Sequence, residues 1–336
     1  MKKKNKNSKL KRPPILFDKT QKKVREVKKA CHGDFITYWT SNNSSMSESD
    51  LVVFYRLLKD RIKADTLYMF IKSDGGSGKT ALRIIHLLRR YYKKIVVLVP
   101  LNCASAGTML ALGADVIKMG PIAYLTAIDT SITHDLSPVD NDNDRVSVNQ
   151  TELDRVLKLW DSKKEQNDQN PYTQLYQYIH PLVFGSVDRA SSLSIKLTTE
   201  ILTYHLDDVE KAERISTHLN SDYPSHSYPI TSREAARIGL HVEELDKEAN
   251  DLLIQLSEYY SEMAQRAYSD YDELNYHDNE ILSIIEMEGE QIFYQKDKDW
   301  HYRKEERKWV PMNDNSSWRR VEKRDGEVQV APFFIR

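Results

Sequence analysis

Short apolar runs alternate with amphipathic segments along the first third of the chain. Three runs, at residues 66–72, 95–100 and 115–119, have the length and apolar content of buried strands. The segments between them, at 79–92 and 105–113, predict helices. Strands and helices that alternate at such short intervals are typical of a parallel sheet with crossover connections. The pattern therefore predicts an α/β fold.

The flanking segments extend this prediction. Residues 34–40 predict one more strand, and residues 47–63 predict an amphipathic helix whose first turn begins with the capping cluster Ser-Glu-Ser-Asp. Downstream, the pattern from Thr151 to His205 is helical and polar, and two shorter helices are predicted at 207–219 and 231–239. The second half of the α/β unit is therefore expected to be mainly helical.

The last part of the chain has a different character. Residues 252–268 predict an amphipathic helix, and beyond residue 281 short segments rich in Trp, Tyr, Phe and Val alternate with charges, as in antiparallel strands. Trp300, Trp309 and Trp318 are expected to form the core of this small β-rich appendage. The predicted organisation is a leader, an α/β unit, a helical connector and an appendage, at 1–33, 34–245, 246–280 and 281–336.

Composition indicates a soluble globular protein with an uneven charge distribution. Charged residues make up 29% of the 336, the net charge is −1 and the mean hydropathy is −0.62. Lys and Arg dominate the first thirty residues, where only Asp18 and Glu26 oppose them. Such a leader is either a solvated, partly disordered segment or a weak contact for nucleic acid or an anionic membrane.

Several function classes are disfavoured by the sequence. Cys31 and Cys103 have no neighbouring Cys or His at metal-ligand spacing, so neither a zinc site nor a disulfide framework is indicated. The longest apolar stretch, residues 95–119, is interrupted by polar residues and by Pro100, and no signal-peptide pattern opens the chain. We therefore expect a cytoplasmic protein without a transmembrane segment, and we predict no cofactor.

Ser105 is the candidate nucleophile. It lies where the apolar strand at 95–100 gives way to a helix start of small residues. Such a turn exposes the side chain and places backbone N–H groups and the positive end of the helix dipole beside it, as a nucleophilic hydroxyl and its oxyanion require. The preceding strand–helix turn carries Gly75 and Gly76, whose amides could complete an oxyanion hole with that of Ala106.

The glycine turn also allows a nucleotide-binding interpretation. In the sequence GGSGKT, backbone amides and Lys79 would hold phosphates and Thr80 a magnesium ion. The spacing argues against it, because Ser73 occupies the position of the first motif glycine and Asp74 would place an anion beside the phosphates. Nucleotide binding is accordingly the third hypothesis for this chain.

A set of motifs from residue 34 to 245 resembles the serine dehydrogenase proteinase family, which comprises Clp-fold serine proteins related to signal peptide peptidase A and, more distantly, to ClpP and the crotonases. The motifs, in chain order, are Gly75-Gly76, Val99-Pro100, Ala104-Ser105-Ala106-Gly107-Thr108, Ala111-Leu112-Gly113-Ala114-Asp115, Met119-Gly120-Pro121, Ile128-Asp129 and His226-Ser227-Tyr228-Pro229-Ile230-Thr231. The resemblance implies a ClpP/crotonase-like spiral of βα units, self-association into a homo-oligomer, and hydrolysis of peptide bonds. It places Ser105 at the nucleophile and Gly76 and Ala106 at the oxyanion hole.

The general base is left open by the sequence. A serine hydroxyl needs a His or a desolvated Lys to take its proton. In the ClpP pattern the His position falls on Asp129, whereas the signal peptide peptidase pattern uses a later Lys, and Lys158 has the nearest spacing from Ser105. The candidates are Lys158, Lys163, Lys164, Lys196, His134 and His226. Because no base is evident, the alternative hypothesis is a catalytically inactive scaffold or adaptor that uses the same fold to assemble and bind partners.

Overall fold

The computed structural model describes residues 10–61, 64–141, 144–162 and 170–335. Its helices, α1 to α10, are Phe17–Cys31, Glu48–Leu58, Gly78–Arg89, Ala106–Leu112, Gln150–Ser162, Pro171–Leu175, Pro181–Leu202, Val209–Ser221, Ser232–Arg237 and Lys247–Met263. Its strands, β1 to β15, are Asp34–Thr40, Thr66–Lys72, Lys94–Val99, Asn102–Cys103, Val116–Met119, Tyr124–Leu125, Ser131–Ile132, Val148–Asn149, Val242–Glu244, Ala267–Asp270, Asn275–Met287, Glu290–Arg303, Lys308–Asp314, Ser317–Arg324 and Glu327–Phe333.

One large mixed sheet organises the described part of the chain. The strand order is β15-β14-β12-β11-β1-β2-β3-β5-β9, with β10 on β11 and β13 on β12. From β1 to β9 all neighbours are parallel, whereas β11 pairs antiparallel with β1 and begins an antiparallel meander. The α/β prediction is therefore confirmed in its coarse form. The spiral arrangement implied by the resemblance stays a prediction.

Helices cover both faces of the parallel strands, which explains why these strands are almost wholly apolar. Along β3, the side chains of Ile95, Val97 and Val99 enter one core cluster, with residues of α2, α3 and α4. The alternate residues Val96 and Leu98 enter a second cluster, with residues of α1 and α10. Successive residues of a strand face opposite sides, so a sheet buried on both sides needs an uninterrupted apolar run.

The segment assigned to a basic leader contains the ordered helix α1. Its buried residues are Phe17, Thr20, Gln21, Val24 and Val27, which recur at helical spacing and pack against the sheet and α10. The Lys and Arg residues lie mostly on the other face of the helix. Because they are numerous, the apolar stripe is not evident from the sequence. Residues 17–31 therefore belong to the folded core, and residues 1–9 of the predicted leader lie outside the described residues.

A buried carboxylate helps to fasten α1 to the sheet. Glu286 on β11 is fully buried and accepts hydrogen bonds from Thr20, Gln21, Tyr260 and Gln291. Burial raises the pKa of Glu286, and the hydrogen bonds oppose that rise. Each of the two carboxylate oxygens has two donors, so the contact satisfies a group that would otherwise be costly to bury.

The C-terminal β-rich part is a continuation of the main sheet, because β11 pairs with β1 over Ile36–Thr40. Its strands begin at Ala267, within the segment predicted as a helical connector, and α10 ends at Met263. The expectation for its tryptophans was wrong in part. Trp318 is buried, whereas Trp309 is 40% exposed and Trp300 is only half-buried. Trp300 and Trp309 therefore do not form a closed core.

Candidate serine hydrolase site

Ser105 occupies a strained turn between β4 and α4. Its φ and ψ are 53° and −121°, and the amide of Gly107 donates to the carbonyl of Ala104 at 2.7 Å. These values are those of the first central residue of a type II′ turn, a position that favours glycine. A side chain there costs about 1–3 kcal/mol of conformational strain and is maintained only when the surroundings fix it.

Gly75 and Gly76 form the opposite side of the turn, both in conformations that side chains rarely adopt. Their φ angles are 112° and 135°. A Cβ atom on Gly75 would lie 2.6 Å from Cβ of Ser105, and one on Gly76 would clash with the amide nitrogen of Met46. Glycine is therefore required at both positions, at Gly75 because of the approach of Ser105 itself.

Two backbone amides next to Ser105 are available as oxyanion donors. The parallel pairing with Met46 uses the carbonyl of Gly75 and the amide of Ser77, so the N–H of Gly76 points to the other side of this segment. Among the described residues neither Gly76 nor Ala106 has an acceptor for its N–H. The amide of Gly75, the third sequence candidate, already donates to Oγ of Ser73 at 3.2 Å.

A cavity of about 300 Å³ opens beside Ser105. The helix starts of α3 and α4 form one side of it, and α7 forms another. Its apolar walls come from Met109, Ile128, Ala190, Leu193 and Leu197. A cavity with apolar walls and a few polar groups is typical of a site for a small ligand or one side chain.

His226 and Asp129 form a histidine–carboxylate pair. Nδ1 of His226 lies 2.6 Å from Oδ1 of Asp129, which is 8% exposed, while the histidine is half-exposed. The hydrogen bond to Asp129 raises the pKa of His226, against the opposing effect of partial burial. With Nδ1 engaged, Nε2 is the nitrogen that remains for proton transfer.

This pair adjoins the cavity without lining it. Ile128 and Thr130, on either side of Asp129, both contribute to the cavity wall, whereas Asp129 and His226 do not. The two residues that the sequence analysis had singled out in separate motifs are thus brought together by the fold. The structure therefore places a histidine–carboxylate pair next to residues that line the Ser105 cavity.

The lysine candidates have a different environment. Lys158 on α5 and Lys196 on α7 are exposed to solvent, and neither lines the cavity. A lysine needs desolvation to become a base at neutral pH, and exposure provides none. Lys163 and Lys164 lie outside the described residues. The imidazole of His134 accepts a hydrogen bond from the amide of Leu136 at 3.0 Å, which is a turn-stabilising contact.

The environment of Thr80 argues against nucleotide binding at the glycine turn. Its side chain is fully buried, and its hydroxyl donates to Oε1 of Glu48 at 3.5 Å. Lys79 lines the Ser105 cavity and is exposed. The hydroxyl that a phosphate loop would offer to magnesium therefore binds the carboxylate of Glu48.

Thr126 is a site residue that the sequence analysis missed. Its Oγ1 accepts the amide hydrogen of Ser105 at 2.8 Å, and its own hydroxyl donates to the carbonyl of Ala127 at 3.1 Å. A threonine in an apolar segment has no distinguishing sequence signal, because threonine is common in strands.

Among the described residues no group of three or more His, Cys, Asp or Glu is arranged to hold a metal ion, and no helix is both long and apolar enough to cross a bilayer.

Comparison with protein-family models and with curated proteins finds no match for this chain. Among solved structures, two mutant forms of the 1510-N membrane-bound stomatin-specific protease are similar, the second in complex with a substrate peptide. Each is 13% identical, with a TM-score of 0.37 over 66% of this chain. The alignments cover 82% and 77% of the respective neighbour chains. Both neighbours are proteases, and their similarity to this chain is distant.

Proposed function

We propose that this chain is a serine hydrolase that cleaves peptide bonds through an acyl-enzyme on Ser105. The observation that carries the proposal is the strained turn, which presents Ser105 beside two amides, of Gly76 and Ala106, that lack acceptors among the described residues. A tetrahedral oxyanion needs converging donors of this kind, and loss of one costs about 3–4 kcal/mol of transition-state stabilisation.

In this proposal His226 is the general base and Asp129 orients it. Asp129 holds Nδ1–H, so that Nε2 accepts the proton of the Ser105 hydroxyl and later returns it to the leaving amine. A carboxylate beside the ring also stabilises the imidazolium that forms. The exposed Lys158 is the weaker candidate, because it does not line the Ser105 cavity.

The cavity walls favour substrates with an apolar side chain next to the scissile bond. Met109, Leu193 and Leu197 offer such a side chain an apolar environment, and burying it would contribute about 1.5–3 kcal/mol. A peptide substrate and self-association are what the family resemblance implies, and both stay predictions. A cytoplasmic location and a contact of the basic N-terminal residues with nucleic acid or an anionic membrane also stay predictions.

Intact-mass spectrometry after incubation with a fluorophosphonate tests the proposal directly. The wild type is expected to gain one adduct, and Ser105→Ala is expected to gain none. Ser192→Ala is the matched control, because Ser192 is exposed on α7 and is not part of the cavity wall. His226→Gln is expected to slow labelling by about 10²–10⁴-fold.

The inactive scaffold is the alternative outcome of the same experiment. A folded wild-type protein that gains no adduct would overturn the hydrolase proposal and favour a scaffold that uses the fold for assembly. An adduct that persists in Ser105→Ala would show that the reactive serine lies elsewhere.

A further inference from the structure

The amide of Ser105 is held by a single buried side chain on a different segment. Oγ1 of Thr126 accepts this amide hydrogen at 2.8 Å, and Thr126 is 3% exposed. The hydroxyl hydrogen of Thr126 is directed to the carbonyl of Ala127, which leaves a lone pair of Oγ1 for Ser105. In this hydrogen bond the amide of Ser105 is therefore the donor and Oγ1 of Thr126 is the acceptor.

The hydrogen bond acts on the strained dihedral angle. The φ angle of Ser105 describes rotation about its N–Cα bond, which joins the 104–105 peptide plane to the Cα atom that carries the side chain. The N–H of that plane is bound by Thr126, and its carbonyl, on Ala104, accepts from Gly107 at 2.7 Å. On the other side, the carbonyl of Ser105 accepts from Met109 at 3.1 Å, within the first turn of α4. The peptide planes on both sides of Ser105 are therefore anchored.

The segment of Thr126 is itself fastened to α4 by a second threonine. The hydroxyl of Thr108, fully buried, accepts the amide hydrogen of Thr126 at 3.1 Å and lies 2.9 Å from the carbonyl of Cys103. The same hydroxyl lies 3.1 Å from the carbonyl of Thr126. These contacts fix the position of the Thr126 backbone relative to the turn. The Thr126 hydroxyl is therefore not expected to move with Ser105 if the turn changes its conformation.

We propose that Thr126 is a positioning residue that holds Ser105 in its positive-φ conformation and thereby keeps the hydroxyl beside the oxyanion donors, where it can attack a bound carbonyl carbon. The inference rests on the proposed function for its catalytic consequence, but its conformational part is independent of activity. Without this acceptor, the 104–105 peptide can rotate and release the strain at Ser105, at the expense of the hydroxyl's direction.

Two variants separate positioning from simple packing. Thr126→Val keeps the shape and removes the acceptor, and Thr126→Ser keeps the acceptor and removes a methyl group. The rate of fluorophosphonate labelling is expected to fall about 100-fold in Thr126→Val and to stay within about threefold of wild type in Thr126→Ser. The apparent pKa of the labelling reaction should not move, because the base is untouched. Wild-type labelling in a folded Thr126→Val would overturn the proposal.

A double-mutant cycle measured by thermal unfolding tests whether Thr126 holds Ser105 at positive φ. It does so even if the protein does not react with the fluorophosphonate. Glycine at position 105 relieves the positive-φ strain, so Ser105→Gly is expected to raise the Tm of the wild type by about 2 °C. In the Thr126→Val background, where Ser105 has already relaxed, the same change should have little effect. An equal rise of Tm in both backgrounds would show that Thr126 does not hold the strained conformation. Absence of labelling in the wild type would instead refute the hydrolase proposal alone.

Discussion

Nδ1 of His226 lies 2.6 Å from the buried carboxylate of Asp129, although 97 positions separate the two residues in the sequence. The hydrogen bond raises the pKa of the imidazole above its usual value of 6.5. A base must be neutral to accept a proton, so activity depends on deprotonation of this ring. The pair therefore links the proposed chemistry to a measurable pH dependence.

Labelling of Ser105 is expected to increase with pH through an apparent pKa above 6.5. Asp129→Asn should lower that apparent pKa and reduce the maximal rate, because the histidine loses the partner that raises its pKa and fixes its ring. The measurement is the labelling rate between pH 5 and 9. A profile that is unchanged in Asp129→Asn would exclude His226 as the titrating base.

The same pair makes a pH-dependent contribution to stability. Because the folded-state pKa of His226 is raised, the stabilisation of its protonated form is fully present below pH 6.5 and is lost as the pH rises through the raised value. The Tm difference between wild type and His226→Gln should accordingly be larger at pH 6 than at pH 9. Thermal unfolding at several pH values checks this, and a difference that grows towards pH 9 would contradict it.

Gly75→Ala is expected to damage the site directly. The new Cβ would lie 2.6 Å from Cβ of Ser105 and 3.0 Å from its Oγ, and the backbone has a φ of 112°. We expect a loss of about 1–3 kcal/mol in unfolding free energy and a fall of about 100-fold in labelling, because the hydroxyl is displaced. Gly185→Ala is the matched control, since within the described part of the chain no atom outside its own helix backbone and adjacent residues lies within 4 Å of its Cβ position. Equal labelling in the two variants would refute the close approach of Gly75 to Ser105.

The size of the cavity should set the substrate preference. Leu193→Trp places a larger side chain in the cavity wall without disturbing the buried core, because Leu193 is 40% exposed. We expect the ratio of kcat/KM for peptides with Leu over peptides with Ala at the position before the scissile bond to fall by about tenfold. Leu182→Trp, at a 60% exposed position of the same helix, is the control and should leave the ratio unchanged. A ratio that falls equally in both variants would place the specificity elsewhere.

Removing the Tyr260 hydroxyl tests the contribution of the hydrogen bonds that satisfy the buried Glu286 carboxylate. The hydroxyl donates to Oε2 of Glu286 at 2.7 Å and lies 3.0 Å from Oγ1 of Thr37, and all three residues are fully buried. Tyr260→Phe is expected to reduce the free energy of unfolding by about 1–3 kcal/mol, because it leaves a buried carboxylate with one donor fewer. Tyr259→Phe, at a half-buried position next to it, should have little effect in the same thermal unfolding experiment. A Tm loss of equal size in both variants would contradict this role.

The sequence was sufficient to locate the strand–helix turn that carries Ser105, because the signal of that turn is local. Ser105 follows an apolar strand and precedes a helix of small residues, and both conditions are visible within a few positions. The glycine turn at Gly75-Gly76 is local in the same way. Strand–helix alternation likewise predicted the parallel part of the sheet, since each strand there is buried on both faces.

The remaining features depend on contacts that no local pattern encodes. His226 meets Asp129, and Thr126 meets Ser105, only because the fold brings distant segments together. Lys158 was favoured by its spacing from Ser105, and spacing does not reveal that its side chain is exposed. The sequence did not predict helix α1 because its many Lys and Arg residues outweighed an apolar stripe. Residues 267–280 were predicted to belong to a helical connector, whereas β10 and the first part of β11 lie there, because their strand pairing is formed with other segments of the C-terminal part.

The pairing of β1 with β11 also concerns the order in which the protein is made. Asp34–Thr40 leaves the ribosome long before Asn275–Met287, so during synthesis β1 has a parallel neighbour on one side and an open edge on the other. An apolar strand with unpaired backbone groups is a template for pairing with other chains. The sheet becomes protected against such aggregation only when the C-terminal strands have been synthesised, so a chain arrested before β11 would be the hazardous species in the cell.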